Sequence, residues 1–470
     1  MRILFVHSED DHYSVEKPLE GHERMQFGIS YISALLKGKG HETRLVIPTR
    51  LNVEILEEYV RDFDPALVCF TSVYTEFAFM SELAAGLKKS HPELYLLVGG
   101  PHASLKPEDC LASAFDAVCT GEGELATLEL VSQLEAGASP AGIANMWIKR
   151  DGEVEKNPQR PFFEDLDSLP FPDREMWLPW ISNQYSRPSV LMGRGCPFQC
   201  TYCCNHALAR LATGKYVRLR SPENIVEEIL DLKATYPYMT EVYLEVETMG
   251  FNQEWAIELC GLLERMNADL EIPIEFGSNL RITPHTEYDD LFAALKKCGF
   301  RFVNIGLESG SERLRREVLK RNYSNEDIVR AVRKAKEHGL DVGIYNLIGI
   351  PGETRRDFRE TIKVTRACQP GWFLLSVFFP YPGTVLHTVC EESGLLDGPI
   401  EQGYERRKPI IDHPGFSKRQ IGRRYTWSHF LFYAGHRPVR EIARQVALTK
   451  IYTNPRLLGW YRTLNKNAAR

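Results

Sequence analysis

The chain has 470 residues, of which 43% are apolar and 26% charged, with a formal net charge of −6. That composition excludes a disordered or fibrous protein and leaves room for about two to three domains. The charge balance argues against a nucleic-acid partner, and no apolar run approaches the roughly 20 residues that span a bilayer.

The chain opens with MRILFVHSED, which lacks the long apolar stretch and small-residue cleavage site of a secretory signal, so a cytoplasmic protein is expected. Over residues 1–150, short apolar strands are predicted at 3–7, 45–47, 67–71, 94–98 and 117–119. Between them, amphipathic helices are predicted near 29–37, 53–63, 76–89, 107–112 and 124–135. This alternation predicts a parallel sheet covered on both faces. Glycines cluster at strand ends, in Val98-Gly99-Gly100-Pro101-His102 and Thr120-Gly121-Glu122-Gly123-Glu124. An open sheet of this kind binds ligands just beyond the carboxyl ends of its strands.

Residues 151–188 read as a linker, because Pro158, Pro161, Pro170, Pro172, Pro179 and Pro188 interrupt regular structure. A second alternation runs from 189 to 390, with strands expected at 189–192, 241–244, 273–278, 302–306, 341–347 and 372–378. A helix-period segment follows each of the first five, most clearly over 325–339. Six such units in about 200 residues predict a partial (β/α)6 barrel with its chemistry on the loops at the strand C-termini. Residues 391–470 read as helical, and 405–470 carry 15 Lys plus Arg against three acidic residues. A helical cap over the barrel's open side is one reading. A face for an anionic substrate, a partner or lipid headgroups is the other.

Seven of the eleven cysteines stand singly in apolar surroundings and read as buried hydrophobes in a reducing compartment. The other four crowd into nine residues: Cys196, Cys200, Cys203 and Cys204. In Gly193-Arg194-Gly195-Cys196-Pro197-Phe198-Gln199-Cys200-Thr201-Tyr202-Cys203, three thiolates follow directly on the first barrel strand. Three cysteines on a four-iron cluster leave one iron without a protein ligand, open to a substrate or cofactor. A structural zinc with Cys204 or His206 as fourth ligand is the competing reading, although zinc sites usually pair two separated knuckles and no second knuckle is present.

Cys-x3-Cys-x-aromatic-Cys after the first strand of a barrel resembles the hallmark of radical S-adenosylmethionine (SAM) enzymes. The resemblance implies that Cys196, Cys200 and Cys203 hold a catalytic [4Fe–4S] cluster that reductively cleaves SAM to a 5′-deoxyadenosyl radical, with Tyr202 near the adenine. It also places Glu308 and Ser309, in Asn304-Ile305-Gly306-Leu307-Glu308-Ser309, against the ribose and methionine end, with Lys320 and Arg281 as further contacts. Ile348-Gly349-Ile350-Pro351-Gly352-Glu353-Thr354 resembles the family segment that passes near the adenine. After the second strand, Val246 stands where relatives often carry an acid, so either Glu245 or Glu247 is expected to face SAM.

With its glycine turns ahead of such a barrel, the N-terminal region resembles a flavodoxin-like (Rossmann-type) cobalamin-binding domain. Thr71, Ser72, Gly99, Gly100 and Gly121 would then line the corrinoid's tail. The Asp-x-His-x-x-Gly loop that supplies a lower cobalt ligand is incomplete: Asp10-Asp11-His12-Tyr13-Ser14-Val15 has Val15 in place of glycine. A "His-off" cobalamin is therefore expected. The activity implied is cobalamin-dependent C-methylation of an unactivated carbon. The alternative is a non-methylating oxidative cyclase, ring-rearranging or C–C bond-forming enzyme of the same architecture. Aromatic residues at the last strand, Trp372, Phe378, Phe379 and Tyr381, would suit an apolar natural product, lipid or tetrapyrrole-like small molecule, or else are barrel packing. An electron donor such as flavodoxin or ferredoxin is implied.

Overall fold

The computed structural model describes residues 1–9, 14–247, 249–396, 400, 405–454 and 457. By contact, it divides into two compact units. The first comprises Met1–Gln199, Cys203–Glu247 and Leu262–Phe276; the second comprises Cys200–Tyr202, Thr248–Gly261 and Gly277–Arg470.

The first unit opens with β1 (Arg2–Val6), β2 (Leu19–Gly21), β3 (Glu42–Val46), β4 (Leu67–Thr71), β5 (Tyr95–Gly99), β6 (Ala117–Cys119), β7 (Met146–Arg150) and β8 (Glu153–Lys156). All but β2 form one sheet in the order β3-β1-β4-β5-β6-β7-β8. The first five of these pair in parallel, and β7 and β8 extend the edge antiparallel. The parallel strands are almost wholly buried, as expected for a sheet covered on both faces. The order steps outward in both directions from β1 and β4, which places every βα loop on one edge.

Residues 151–188 depart from the structureless reading. Asp151 (φ 52°) and Gly152 (φ 82°) make the left-handed pair of a two-residue hairpin turn, and β8 returns from it. A 3-10 segment, Glu175–Trp180, then packs Trp177 and Trp180 into the core of the first sheet. The two indoles donate to Ser30 Oγ at 2.9 Å and Leu45 O at 3.1 Å. β9 (Ile181–Asn183) follows and pairs with β2. The prolines stop long elements, but burial of two tryptophans fixes the path of the segment.

The barrel strands are β10 (Ser189–Leu191), the short β11 (Gly193–Arg194) and β12 (Arg218–Leu219), then β13 (Glu241–Glu245), β14 (Glu275–Leu280), β15 (Phe300–Glu308), β16 (Asp341–Ile348) and β17 (Trp372–Val377). Six of them form a sheet in the order β10-β13-β14-β15-β16-β17, as the partial barrel predicts. Helices Pro222–Thr235, Gln253–Asp269, Asp289–Lys297, Asn325–Glu337 and Arg355–Cys368 follow the first five. Three of these starts are written in the sequence as caps. Ser221 accepts from Asn224 N–H, and Ser324 and Thr354 each close a capping box, with Asp327 and Asp357.

In the second unit, β17 is the edge of the open sheet, and the C-terminal segment covers that side. Phe416, Ile421 and Phe432 share a core with Ile348, Phe358, Leu375 and Val377. The covering elements are helices Lys418–Thr426 and Ser428–Tyr433, followed by Val439–Tyr452. Among the described residues, no helix is long and apolar enough to cross a membrane.

Candidate active site

The cysteine loop leaves β11 through Gly195, whose φ of 82° is left-handed. A Cβ there would lie 2.2 Å from Tyr216 O, so only glycine lets the loop turn so close to its neighbour. Within the first unit, Cys203 Sγ accepts from Asn205 N–H at 3.5 Å and Nδ2 at 3.6 Å. Tyr216 Oη donates to Asn205 Oδ1 at 2.6 Å and orients that amide. The Cys203 thiol is brought down to about 6, chiefly by a hydrogen bond from the Cys204 thiol, with the Asn205 donors adding to it against burial. Cys204 is pushed up correspondingly. The proton is therefore favoured on Cys204, and the thiolate on Cys203.

Within the second unit, Cys200 Sγ accepts from Arg281 Nη1 at 2.8 Å. The next residue, Thr201, donates to Val318 O at 2.6 Å and accepts from Leu386 N–H at 3.0 Å, which anchors the loop between two elements. Tyr202 Oη accepts from Arg321 Nη1 at 2.7 Å, and the same guanidinium donates to Glu308 Oε1 at 2.7 Å and Gly306 O at 3.1 Å. Glu308 (φ 60°) and Lys320 (φ 54°) are both left-handed without being glycine. Backbone strain of that kind persists where surrounding contacts over-determine it. Gly306 belongs to the same arrangement, because a Cβ there would sit 2.5 Å from Glu308 Oε1.

The remaining expected SAM contacts sit as follows. Ser309 is fully buried and bonded to Ser311 N–H, whereas Lys320 is exposed. Glu245 closes β13 half-buried, its carboxyl raised to about 7 by burial and then by the charge of Glu247. Glu247 is exposed and acts electrostatically on Cys203. Glu353, in the loop after β16, is buried and accepts from Gly349 N–H at 2.5 Å and Ile350 N–H at 3.3 Å.

At the first sheet, Thr71, Ser72, Gly99, Gly100 and Gly121 all lie at the carboxyl ends of β4, β5 and β6. Gly100 is left-handed (φ 98°), and a Cβ there would come 2.7 Å from Ser72 O. Gly121 N–H donates to Ser104 Oγ at 2.9 Å. His12 lies outside the described residues. Two imidazoles that sequence reasoning passed over stand at this edge. His7 and His102 are buried, and among the described residues neither Nε2 has a hydrogen-bond partner. His102 Nε2 lies 3.7 Å from the Asp109 carboxylate, so the glycine-flattened loops, rather than these imidazoles, are what suits a ligand tail laid along this edge.

Sequence reasoning also missed what Glu122 and Glu124 do. Arg194, two residues before Cys196, donates to Glu122 at 3.1 Å and to Glu124 at 2.5 Å. Arg218 on β12 reaches Glu122 at 2.9 Å and Phe163 O at 2.7 Å. The acidic turn after β6 is therefore clamped, within the first unit, to the strand that launches the cysteine loop. No local signal in the sequence pairs Arg194 with the acidic turn, 70 and 72 residues away.

Among the described residues, no three His, Cys, Asp or Glu side chains converge on a single ion, and Cys204 is engaged as a donor. Neither a closed zinc tetrahedron nor a preformed three-cysteine group therefore stands among the described residues, and it is the spacing of the three cysteines on one loop that points to a larger cluster with an open iron. Trp372 lies at the start of β17, away from the strand's carboxyl end, against Tyr345 (5.5 Å) and partly exposed, whereas Phe378 and Phe379, just past that end, are buried.

Residues 190–365 match the radical SAM superfamily, and residues 21–131 match the B12 binding domain. An uncharacterized methyltransferase of Pyrococcus horikoshii is 27% identical over 442 residues, covering 92% of each chain. Anaerobic magnesium-protoporphyrin IX monomethyl ester cyclase of Rubrivivax gelatinosus is 25% identical over 399 residues, covering 81% of this chain and 68% of the relative. The radical SAM methyltransferase TsrM of Kitasatospora setae, solved with a tryptophan substrate and a SAM analogue, shares the fold with a TM-score of 0.65 at 18% identity, over 85% of this chain and 77% of that one.

Proposed function

This chain belongs to the cobalamin-binding branch of the radical SAM enzymes, which work with a [4Fe–4S] cluster, SAM and cobalamin, and we propose that it methylates an unactivated carbon of a small molecule. When bound, the three groups supply reductive cleavage of SAM to a carbon-centred radical and a cobalt-held methyl donor. The residues of the chain do the rest. Cys196, Cys200 and Cys203 would hold the cluster, whose remaining iron would be free for SAM. Tyr202, Glu308 and Arg321 form a preorganised polar wall beside them. The carboxyl edge of the first sheet takes the corrinoid tail.

One observation carries the reading. Arg194 ties the launching strand of the cysteine loop to Glu122 and Glu124 at the corrinoid edge. Methyl transfer to a carbon radical needs the radical source and the methyl donor held in fixed register to one substrate, within a few ångströms. A largely desolvated ion clamp between the acidic turn and β11 supports that requirement. The substrate is taken to be an apolar natural product, lipid or tetrapyrrole-like molecule, and the electron donor a flavodoxin or ferredoxin. The cyclase relative favours a second reading, oxidative cyclisation without methyl transfer. Mass analysis of the product formed anaerobically with SAM and reductant decides. A gain of one CH2 per turnover supports methylation; a loss of two hydrogens supports cyclisation.

A further inference from the structure

Arg281 follows directly on β14 and sends Nη1 to Cys200 Sγ at 2.8 Å. A second guanidinium, Arg321, also acts electrostatically on Cys200, but Glu308 lies 2.7 Å from it and compensates its charge. Arg321 further spends its donors on Tyr202 and Gly306 O. Among the described residues, Arg281 is thus a cation with an N–H directed at the sulfur itself.

We propose that Arg281 is a positioning residue that sets the reduction potential of the cluster through its N–H···S bond to Cys200, rather than a contact of SAM. The inference rests on the cluster assignment made above. One-electron reduction by a low-potential donor adds negative charge to a cluster already anionic through its thiolates. A cationic donor on a ligand sulfur stabilises that added charge more than it stabilises the oxidised cluster, and so raises the potential. The same bond fixes the side chain of Cys200 before metal arrives, as outer-shell donors commonly do for metal ligands.

The test is an EPR-monitored redox titration of the full-length, anaerobically reconstituted enzyme without SAM. In R281Q the oxidised-to-reduced ratio at a given potential should rise about tenfold, which for a one-electron couple lowers the midpoint by about 59 mV. R281K, which keeps the charge, should shift less in the same direction. An R281Q protein with full iron and sulfide and an unchanged midpoint overturns the proposal. So does a rise in the dissociation constant of SAM with the SAM-free midpoint unmoved, since that is the behaviour of a SAM contact. A second measurement does not depend on R281Q loading its cluster. Reduced wild-type enzyme labelled with 15N-arginine should show a 15N hyperfine coupling that R281K abolishes. Absence of that coupling also overturns the proposal. A wild-type protein without inorganic sulfide defeats the cluster assignment instead, a result distinct from all of these.

Discussion

Arg194 Nη2 stands 2.5 Å from Glu124 Oε1, and Arg194 also reaches Glu122, which Arg218 grips from the other side. The side chains of this quartet are between 4% and 20% exposed, so each charge has lost most of its hydration and depends on its partner. Breaking such a buried pair leaves an uncompensated charge, at a cost of about 3–5 kcal/mol. R194A should therefore lower unfolding stability by about that amount in denaturant titration. Surviving enzyme should release 5′-deoxyadenosine with little methylated product, because the loop is no longer clamped to the corrinoid edge. Coupled turnover at the wild-type ratio in R194A would remove the clamp from the argument.

The cysteines divide by role. C200A and C203A should each abolish iron and acid-labile sulfide together with 5′-deoxyadenosine formation. C204A removes only the thiol that donates to Cys203 and should keep the cluster, with Cys203 now a weaker thiolate before loading. Iron and sulfide analysis of the three variants, purified without oxygen, separates these outcomes. Loss of all metal in C204A would return the closed, four-ligand site.

Gly306 tests the Tyr202–Arg321–Glu308 wall without replacing any residue of the cysteine loop. In G306A the new methyl would contact Glu308 Oε1 at 2.5 Å and Arg321 Nη2 at 3.0 Å. The carboxylate must move, and with it the guanidinium that holds Tyr202. The expected result is SAM affinity down by about tenfold or more, the equivalent of losing one charge-assisted hydrogen bond. Iron content should be unchanged. Isothermal titration with SAM on the reconstituted oxidised enzyme reads the affinity, and iron analysis of the same sample reads the metal content.

The fold was legible because its elements obey one period each. The parallel strands are continuous apolar runs, and Ser324 and Thr354 announce their helices by caps whose side chains serve no competing purpose. The cysteine loop was legible because three thiols at that spacing after a strand have few other uses. What stayed hidden is long-range. Asp151-Gly152 is a hairpin signal in plain view, but the surrounding prolines outweighed it in a local reading. The Arg194–Glu122 pair joins residues 72 apart, and neither charge differs, as text, from a solvated surface charge. Trp372 shows the converse. An aromatic at a barrel strand reads as packing or as a substrate contact until its place along the strand, here the starting end, is known.

Glu353 makes a prediction in pH. Burial raises its carboxyl from 4.5 to about 8, against the two backbone N–H groups that favour the anion, and it is 1% exposed. A raised folded value in an acid means that the native state binds the proton more tightly than the unfolded chain between those two values. Stability from this group is thus complete below about pH 4.5 and declines as pH climbs towards 8, by up to several kcal/mol (about 1.4 per pH unit). Glutamine keeps an oxygen for Gly349 and Ile350 N–H and carries no charge at any pH. E353Q should therefore match wild type in unfolding stability near pH 5 and exceed it progressively up to pH 9. Parallel stability profiles of the two proteins would refute a buried, protonated Glu353. Loop geometry should survive in E353Q, so SAM affinity at neutral pH is expected to stay within about threefold of wild type, whereas E353A leaves both amides unsatisfied and should lose more.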